Sequence, residues 1–303
     1  MREVRVWVGP DPGPMIARAI EEAGGVVVAD PSEANAFAWY GLPPEKVKEL
    51  LHPGVEWVQL HSAGIDSWFE RGVFDEERIW TRVEEVYSAD VAEHVVAFLL
   101  AAVRGLPQAA RRTTWEKVGG DRLVGKVVGI VGAGSVGRET IARLAPFGTA
   151  ALALTRSGRE IDGAERSLAA DGLDDLLRES DFVVLTAPLT RETDGLMDAR
   201  RLSLMQPSAW LVNVARGRLV VTDDLVAALE RGQIAGACLD VTEPEPLPDD
   251  HPLWRFPNVL ITPHVANPPG TYEEPLARLV GENVRRFREG RDLVGVVDVG
   301  RGY

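Results

Sequence analysis

The sequence predicts an α/β protein of two parallel sheets, the larger one doubly wound and inserted into the smaller, and three observations carry that prediction. Short β-rich runs alternate with helical patterns along almost the whole chain, the rhythm of parallel strands joined by crossover helices. A glycine-punctuated turn, with Gly132, Gly134 and Gly137 in VVGIVGAGSVGRETIARL, stands near the middle of the chain between a strand-like run and a helical pattern. The residues ahead of that turn form an α/β series of their own, so the unit carrying the turn interrupts another unit rather than leading the chain.

In chain order, the first series has strand runs in VRVWVG, VVVA, AFAWYG and VEWVQL, with helical patterns in MIARAIEEAGG and PEKVKELL. The fourth run leads into HSAGIDSW, where the small residues Ser62, Ala63 and Gly64 let a ligand approach main-chain amides. Asp90 with Glu93 three residues later reads as the N-terminal cap of a helix through VAFLLAAVR, stopped at Gly105, Leu106 and Pro107, and this helix is expected to cross into the second unit. From Gly125 six further strand runs follow, KVVGIVG, AALALT, DFVVLTA, AWLVNVA, AGACLDV and NVLITPH, enough for a complete Rossmann doubly wound sheet. A last helical pattern at 274–290 precedes LVGVVDVG, a tail expected to return to the first unit. The expected division is a smaller flavodoxin-like α/β substrate domain of residues 1–89 and 275–303, and a dinucleotide-binding domain of residues 90–274.

Composition narrows the function classes. With 303 residues, 45% hydrophobic and 26% charged, the chain has the balance of an ordinary globular protein with room for two cores. A net charge of -13 without a basic run argues against a nucleic-acid backbone or an anionic membrane as partner. The longest apolar stretch, 91–106, is broken by Glu93, His94 and Arg104 and is too short to span a bilayer. The opening MREVRVWVG reads as a first strand rather than a signal peptide, so a cytoplasmic protein is expected; a homodimer and the absence of a metal are separate expectations. The single cysteine, Cys238, sits in the apolar run IAGACLDV and reads as a buried small side chain.

The chemistry is read from the ends of the strands. In the glycine turn, Gly132, Gly134, Ser135, Val136 and Gly137 open a helix whose free amides suit a pyrophosphate, so a dinucleotide is the natural ligand. Ligands of an open parallel sheet bind beyond the carboxyl ends of its strands, and three polar residues lie there: Arg216 after AWLVNVA, Glu245 after ACLDV and His264 after VLITP. A histidine can give a proton to a carbonyl oxygen, a neighbouring carboxylate favours its charged form, and an arginine fork can hold a carboxylate beside that carbonyl. Such a set suits a 2-oxo acid, with the electrons coming from the cofactor. Taken one at a time, Arg216 and Glu245 could be solvated loop charges and His264 a strand cap; their joint placement favours a site. His52, His94 and His251 lack such company and read as structural or solvated, and His61, beside the SAG turn, leans the same way. At the end of the second strand, where a carboxylate would mark an NAD site, stand Thr155, Arg156, Ser157 and Arg159, which favour the 2′-phosphate of NADP, with NAD possible if the arginines are merely solvated.

The motifs HSAGID, AEHVVAFLLAAVRGLP, VVGIVGAGSVG, TAPLTRET, LVNVARGRLV, DVTEPEPLP and NVLITPH, in this order, resemble those of the D-isomer-specific 2-hydroxyacid dehydrogenases. The resemblance implies catalytic roles for Arg216, Glu245 and His264, and substrate binding by the Ala63 and Gly64 amides together with Arg216 and His264. It also implies Asp240 at the nicotinamide carboxamide and Ala187, Pro188, Val214, Ala215, His264 and Asn267 along the cofactor path. The chain departs from the family pattern after the histidine, with ValAlaAsnProProGly, and before AEH, with Tyr87 in VEEVYSADV, which would narrow the cleft entrance. The implied activity is reduction of a small 2-oxo acid such as glyoxylate or hydroxypyruvate to a D-2-hydroxy acid. The competing readings are a non-enzymatic dinucleotide-sensing protein like the transcriptional corepressors and a dehydrogenase of a different acid, such as an amino or phosphonate acid.

Overall fold

A computed structural model describes residues 2–10, 13–268 and 270–300. The chain divides into two compact units, Met1–Tyr87 with Pro268–Tyr303, and Ser88–Asn267. The first contains β1 (Arg5–Gly9), α1 (Pro14–Glu22), β2 (Val26–Val28), β3 (Ala36–Trp39), α2 (Val47–Leu50), β4 (Trp57–Leu60), α3 (Asp66–Glu70) and β5 (Ile79–Thr81). Its strands pair in parallel in the order β2-β1-β3-β4-β5, the flavodoxin-like arrangement.

The second unit runs α4 (Ser88–Val103), α5 (Leu106–Ala110), β6 (Val127–Val131), α6 (Ser135–Leu144), β7 (Ala150–Leu154), β8 (Arg166–Leu168), α7 (Leu173–Glu179), β9 (Phe182–Leu185), α8 (Ala199–Leu202), β10 (Trp210–Asn213), α9 (Thr222–Glu230), β11 (Gly236–Leu239) and β12 (Val259–Ile261). Its parallel strands lie in the order β12-β11-β10-β9-β6-β7-β8. This is the Rossmann order, with the sense of connection reversing between β6 and β9. The chain then returns to the first unit as α10 (Glu273–Glu289).

The central strands of the second unit are continuous apolar runs because helices cover both faces of the sheet. Alternate side chains sort into two cores. Val183, Leu185 and Leu211 join Leu176 of α7 and Leu225 of α9 on one face. Val128, Ile130, Val184 and Val212 join Phe98 of α4 and Ile141 of α6 on the other. Cys238 belongs to the second core and burial pushes its thiol pKa up, which leaves it inert.

Four features differ from the sequence reading, the first being β5, a fifth strand beyond the four runs read in the first unit. The second sheet has seven strands rather than six, because β8, only three residues long, pairs with β7 at the sheet edge. The helix α4 starts at Ser88, so Asp90 sits within its first turn instead of capping it. Pro268 and residues 270–274, expected with the nucleotide-binding unit, pack with the first one, where the Tyr272 ring meets Tyr87 at 5.3 Å and joins the cluster of Val6, Ile20 and Leu276.

The tail is stitched to the first unit by a buried polar network. Asn283 donates to Gln59 Oε1 (2.8 Å) and to the Val294 carbonyl (3.0 Å), and its own Oδ1 accepts from the Val294 amide (2.8 Å). Thr81 donates to the same Gln59 oxygen at 2.9 Å and accepts from Trp57 Nε1 at 2.8 Å. Gln59, Thr81 and Asn283 are all buried. Asn283→Leu strands both main-chain groups of Val294, so a loss of about 2–4 kcal/mol is expected in denaturant unfolding; a loss below about 1 kcal/mol would mean the network does not anchor the tail.

Candidate active site

The glycine turn after β6 is shaped by three different demands. Gly132 has a φ of 100°, and a Cβ there would lie 2.5 Å from the main chain of Ala187. At Gly137 a Cβ would press on the Gly132 carbonyl at 2.8 Å and on Ile130, so this glycine lets α6 pack tightly on β6. At Gly134, the N-cap of α6, a Cβ would meet nothing within 4 Å. The outer face of the turn is therefore open. The Arg138 amide closes on the Gly134 carbonyl at 3.0 Å, which leaves the amides of Ser135, Val136 and Gly137 ahead of the first helical hydrogen bond. Tight turn, open approach and close helix packing are the three requirements of a pyrophosphate-binding loop, and the residues fit a dinucleotide.

The neighbouring strand ends surround this turn. After β7, the Thr155 amide bonds to Leu168 and its hydroxyl is turned inward, buried without a partner among the described residues. Arg156, Ser157 and Arg159 are exposed. Glu192 faces this loop, its carboxyl held below the usual range mainly by the Thr190 hydroxyl, with Arg191 and Arg156 adding to the effect. After β9, Thr186 donates to the Gly132 carbonyl at 2.8 Å, Ala187 is buried against Gly132, and the exposed Pro188 offers its carbonyl to Thr193 at 2.7 Å.

Arg216, Glu245 and His264 come from the ends of β10, β11 and β12, three consecutive strands of the sheet. The turn carrying Arg216 is shaped by buried Asn213, which donates to the Arg216 carbonyl (2.8 Å) and accepts from the Ala215 amide (3.0 Å). Val214 and Ala215 are half-buried on this turn, and Arg216 Nη1 donates to the Ala215 carbonyl at 2.6 Å. At Gly217 a Cβ would lie 1.9 Å from the Thr242 carbonyl, so the segment leading to Glu245 rests directly on this glycine. Gly217→Ala must push that segment away. A fall in kcat of about tenfold or more is expected, together with a lower melting temperature; unchanged kcat would show that the loop tolerates the shift.

His264 Nδ1 and Glu245 Oε1 are 2.7 Å apart, and the two side chains are 47% and 43% exposed. Since a carboxylate only accepts, Nδ1 carries the shared proton and Nε2 is the atom that exchanges one with a ligand. The main chain of His264 is left-handed, with a φ of 53°. That conformation costs a non-glycine residue about 1–2 kcal/mol.

Asp240 holds the turn in place. Its carbonyl accepts from the His264 amide (2.8 Å), Oδ1 from Thr262 Oγ1 (2.5 Å) and the Val265 amide (2.9 Å), and Oδ2 from the Ala266 amide (3.1 Å). Asp240 is 2% exposed, and its carboxylate is engaged by the histidine turn from behind. Half-buried Asn267 closes the same segment. The sequence reading missed this network: Asn213, Gly217 and Thr262 gave no signal beyond their adjacency to strand ends, and His94 was set aside although its Nε2 lies 3.1 Å from Thr262 Oγ1.

The remaining expected residues lie in the first unit. Ala63 and Gly64 occupy the turn after β4, where Arg82 donates to the Ala63 carbonyl at 3.1 Å. Tyr87 is fixed nearby, its hydroxyl donating to the His61 carbonyl at 2.5 Å. His61 bonds through Nδ1 to the Trp39 carbonyl, and burial lowers its pKa.

Comparison with known proteins bears on this arrangement. Residues 96–266 match the sequence profile of the NAD binding domain of D-isomer specific 2-hydroxyacid dehydrogenases. A glyoxylate reductase of Pyrococcus horikoshii is 33% identical over 304 residues, covering 95% of this chain and 87% of the relative. Among solved structures, a D-isomer specific 2-hydroxyacid dehydrogenase from Xanthobacter autotrophicus Py2, in complex with NADPH and MES, superposes with a TM-score of 0.88 at 31% identity and full coverage of both chains. An NADPH-dependent glyoxylate/hydroxypyruvate reductase from Sinorhizobium meliloti, in complex with NADP and sulfate, gives 0.84 at 27% identity, covering 99% of this chain and all of that one. The chain belongs to the D-isomer specific 2-hydroxyacid dehydrogenases, NAD(P)-dependent oxidoreductases with a Rossmann dinucleotide-binding domain.

Proposed function

We propose that the protein reduces a small 2-oxo acid of the glyoxylate and hydroxypyruvate class to the 2-hydroxy acid, D-configured where the product is chiral, using NADPH. The observation that carries this reading is the half-exposed His264–Glu245 pair at the end of adjacent strands, with Arg216 on the next. When bound, the reduced nicotinamide supplies the hydride. His264 Nε2 gives the proton to the carbonyl oxygen, and Glu245 on Nδ1 holds the ring and balances its charge. Arg216 holds the substrate carboxylate and polarises the adjacent carbonyl. Gly132, Gly134, Ser135, Val136 and Gly137 receive the pyrophosphate, and Arg156, Ser157 and Arg159 the 2′-phosphate. Ala187, Pro188, Val214, Ala215 and Asn267 line the cofactor's path, and Asp240 faces the nicotinamide carboxamide.

The same reading makes the enzyme a cytoplasmic homodimer with no nucleic-acid partner. No described helix is long and apolar enough to cross a membrane, and the acidic charge disfavours nucleic acid. Leu106, Val124 and the fully exposed Trp115 are apolar side chains left open to solvent on the second unit, which supports pairing of subunits. Light scattering of the purified protein tests the dimer, and a monomer would reject it. Activity is tested with a panel of 2-oxo, 2-imino and phosphonate acids against NADPH and NADH. Highest kcat/KM for glyoxylate or hydroxypyruvate with NADPH is expected, and turnover confined to another acid class would overturn the assignment.

A further inference from the structure

His94 lies on α4, with its ring edge-on to Phe98 at 4.3 Å between centroids. Its Nε2 is 3.1 Å from Thr262 Oγ1 and 3.7 Å from Asp240 Oδ1. The Thr262 hydroxyl has one proton, and at 2.5 Å from a carboxylate oxygen that proton goes to Asp240. Thr262 Oγ1 must then accept from the imidazole, so His94 carries its proton on Nε2. Burial lowers the His94 pKa against the opposing pull of Asp240, which keeps the ring neutral at neutral pH. The result is an ordered chain from His94 Nε2–H through the Thr262 hydroxyl to Asp240 Oδ1. The far end of the chain also takes the amides of Val265 and Ala266, the two residues directly after His264.

We propose that His94 is a positioning residue for the reduction: by donating to Thr262 it orients the threonine hydroxyl on Asp240 and so holds the left-handed turn that aims His264 Nε2. The proposal rests on the reading of His264 as proton donor. It gives His94 a place in the chemistry without contact to substrate or cofactor. It also explains why a neutral ring is needed, because a donor without charge completes the chain and leaves the Asp240 carboxylate to the turn.

His94→Leu and Thr262→Val remove the link, whereas His94→Gln keeps an N–H near the place of Nε2 and Thr262→Ser keeps the hydroxyl. With NADPH and hydroxypyruvate, kcat is expected to fall about 10- to 100-fold in the first pair and to recover largely in the second. The NADPH dissociation constant, from fluorescence titration without substrate, should stay within about twofold of wild type throughout. In a His264→Ala background, His94→Leu should lower the residual rate no further, because the ring it aims is gone. Nitrogen-15 NMR of the imidazoles should show His94 protonated on Nε2. If His94→Leu does not fold, the nearly isosteric Thr262→Val carries the kinetic test. Wild-type kcat in Thr262→Val, an undiminished effect of His94→Leu in the His264→Ala background, or an Nδ1–H form of His94 would each overturn the proposal. Normal turnover by His264→Ala alone would instead remove the proton-donor reading beneath it.

Discussion

His264→Ala is expected to lower kcat by about 10²- to 10⁴-fold, the usual range for loss of a general acid, while the NADPH dissociation constant changes little. Binding and chemistry separate in this variant because the histidine turn is held by Asp240 through main-chain amides and through Thr262, none of which involves the imidazole itself. The glycine turn after β6 lies on a different part of the sheet, with its own hydrogen bonds to Leu154. His264→Gln keeps a polar side chain beside Glu245 but cannot deliver a proton from a ring nitrogen, and the same loss is expected. Steady-state kinetics over the neutral range checks both variants. Near-normal turnover in either one would transfer the proton donor to another group.

The second large effect concerns the choice of cofactor. Thr155→Asp combined with Arg156→Ala should shift the ratio of kcat/KM for NADPH over NADH toward NADH by about 10²- to 10³-fold, since it removes a charge-assisted donor and adds a repelling carboxylate where a 2′-phosphate would lie. The inward turn of the Thr155 hydroxyl sharpens this expectation. The phosphate donors are then the exposed Arg156, Ser157 and Arg159, and Arg156→Ala alone should account for a substantial part of the shift. A wild-type enzyme that prefers NADH, or a double variant with an unchanged ratio, would show that these residues are only solvated loop charges.

What the sequence disclosed and what it hid follow from the same physics. The strands β6, β9 and β10 are buried on both faces, and this leaves continuous apolar runs that anyone can read. The edge strands β5 and β8 have three residues each and exist because a neighbour supplies the register, Gln59 opposite Thr81 and Leu152 opposite Arg166. Such pairing leaves no periodic signal. The positions of Arg216, Glu245 and His264 beyond three neighbouring strands were legible because Arg216 and His264 stand three residues past a strand end and Glu245 six. The supports beneath them were not. Gly217 is needed because the Thr242 carbonyl lies above it, and His94 meets Thr262 across 168 positions of sequence. Contacts of that kind appear only when strands from distant parts of the chain are placed side by side.

The central claim, that this chain transfers hydride from NADPH to a 2-oxo acid, is tested most directly by following the label from NADPH carrying deuterium at the transferred C4 position, with hydroxypyruvate as acceptor. The expected product is D-glycerate with one deuterium at C2, formed in step with loss of NADPH absorbance and slowed about 10²- to 10⁴-fold by His264→Ala. Tight NADPH binding with no labelled product from any 2-oxo acid would contradict the claim and favour a dinucleotide-sensing protein.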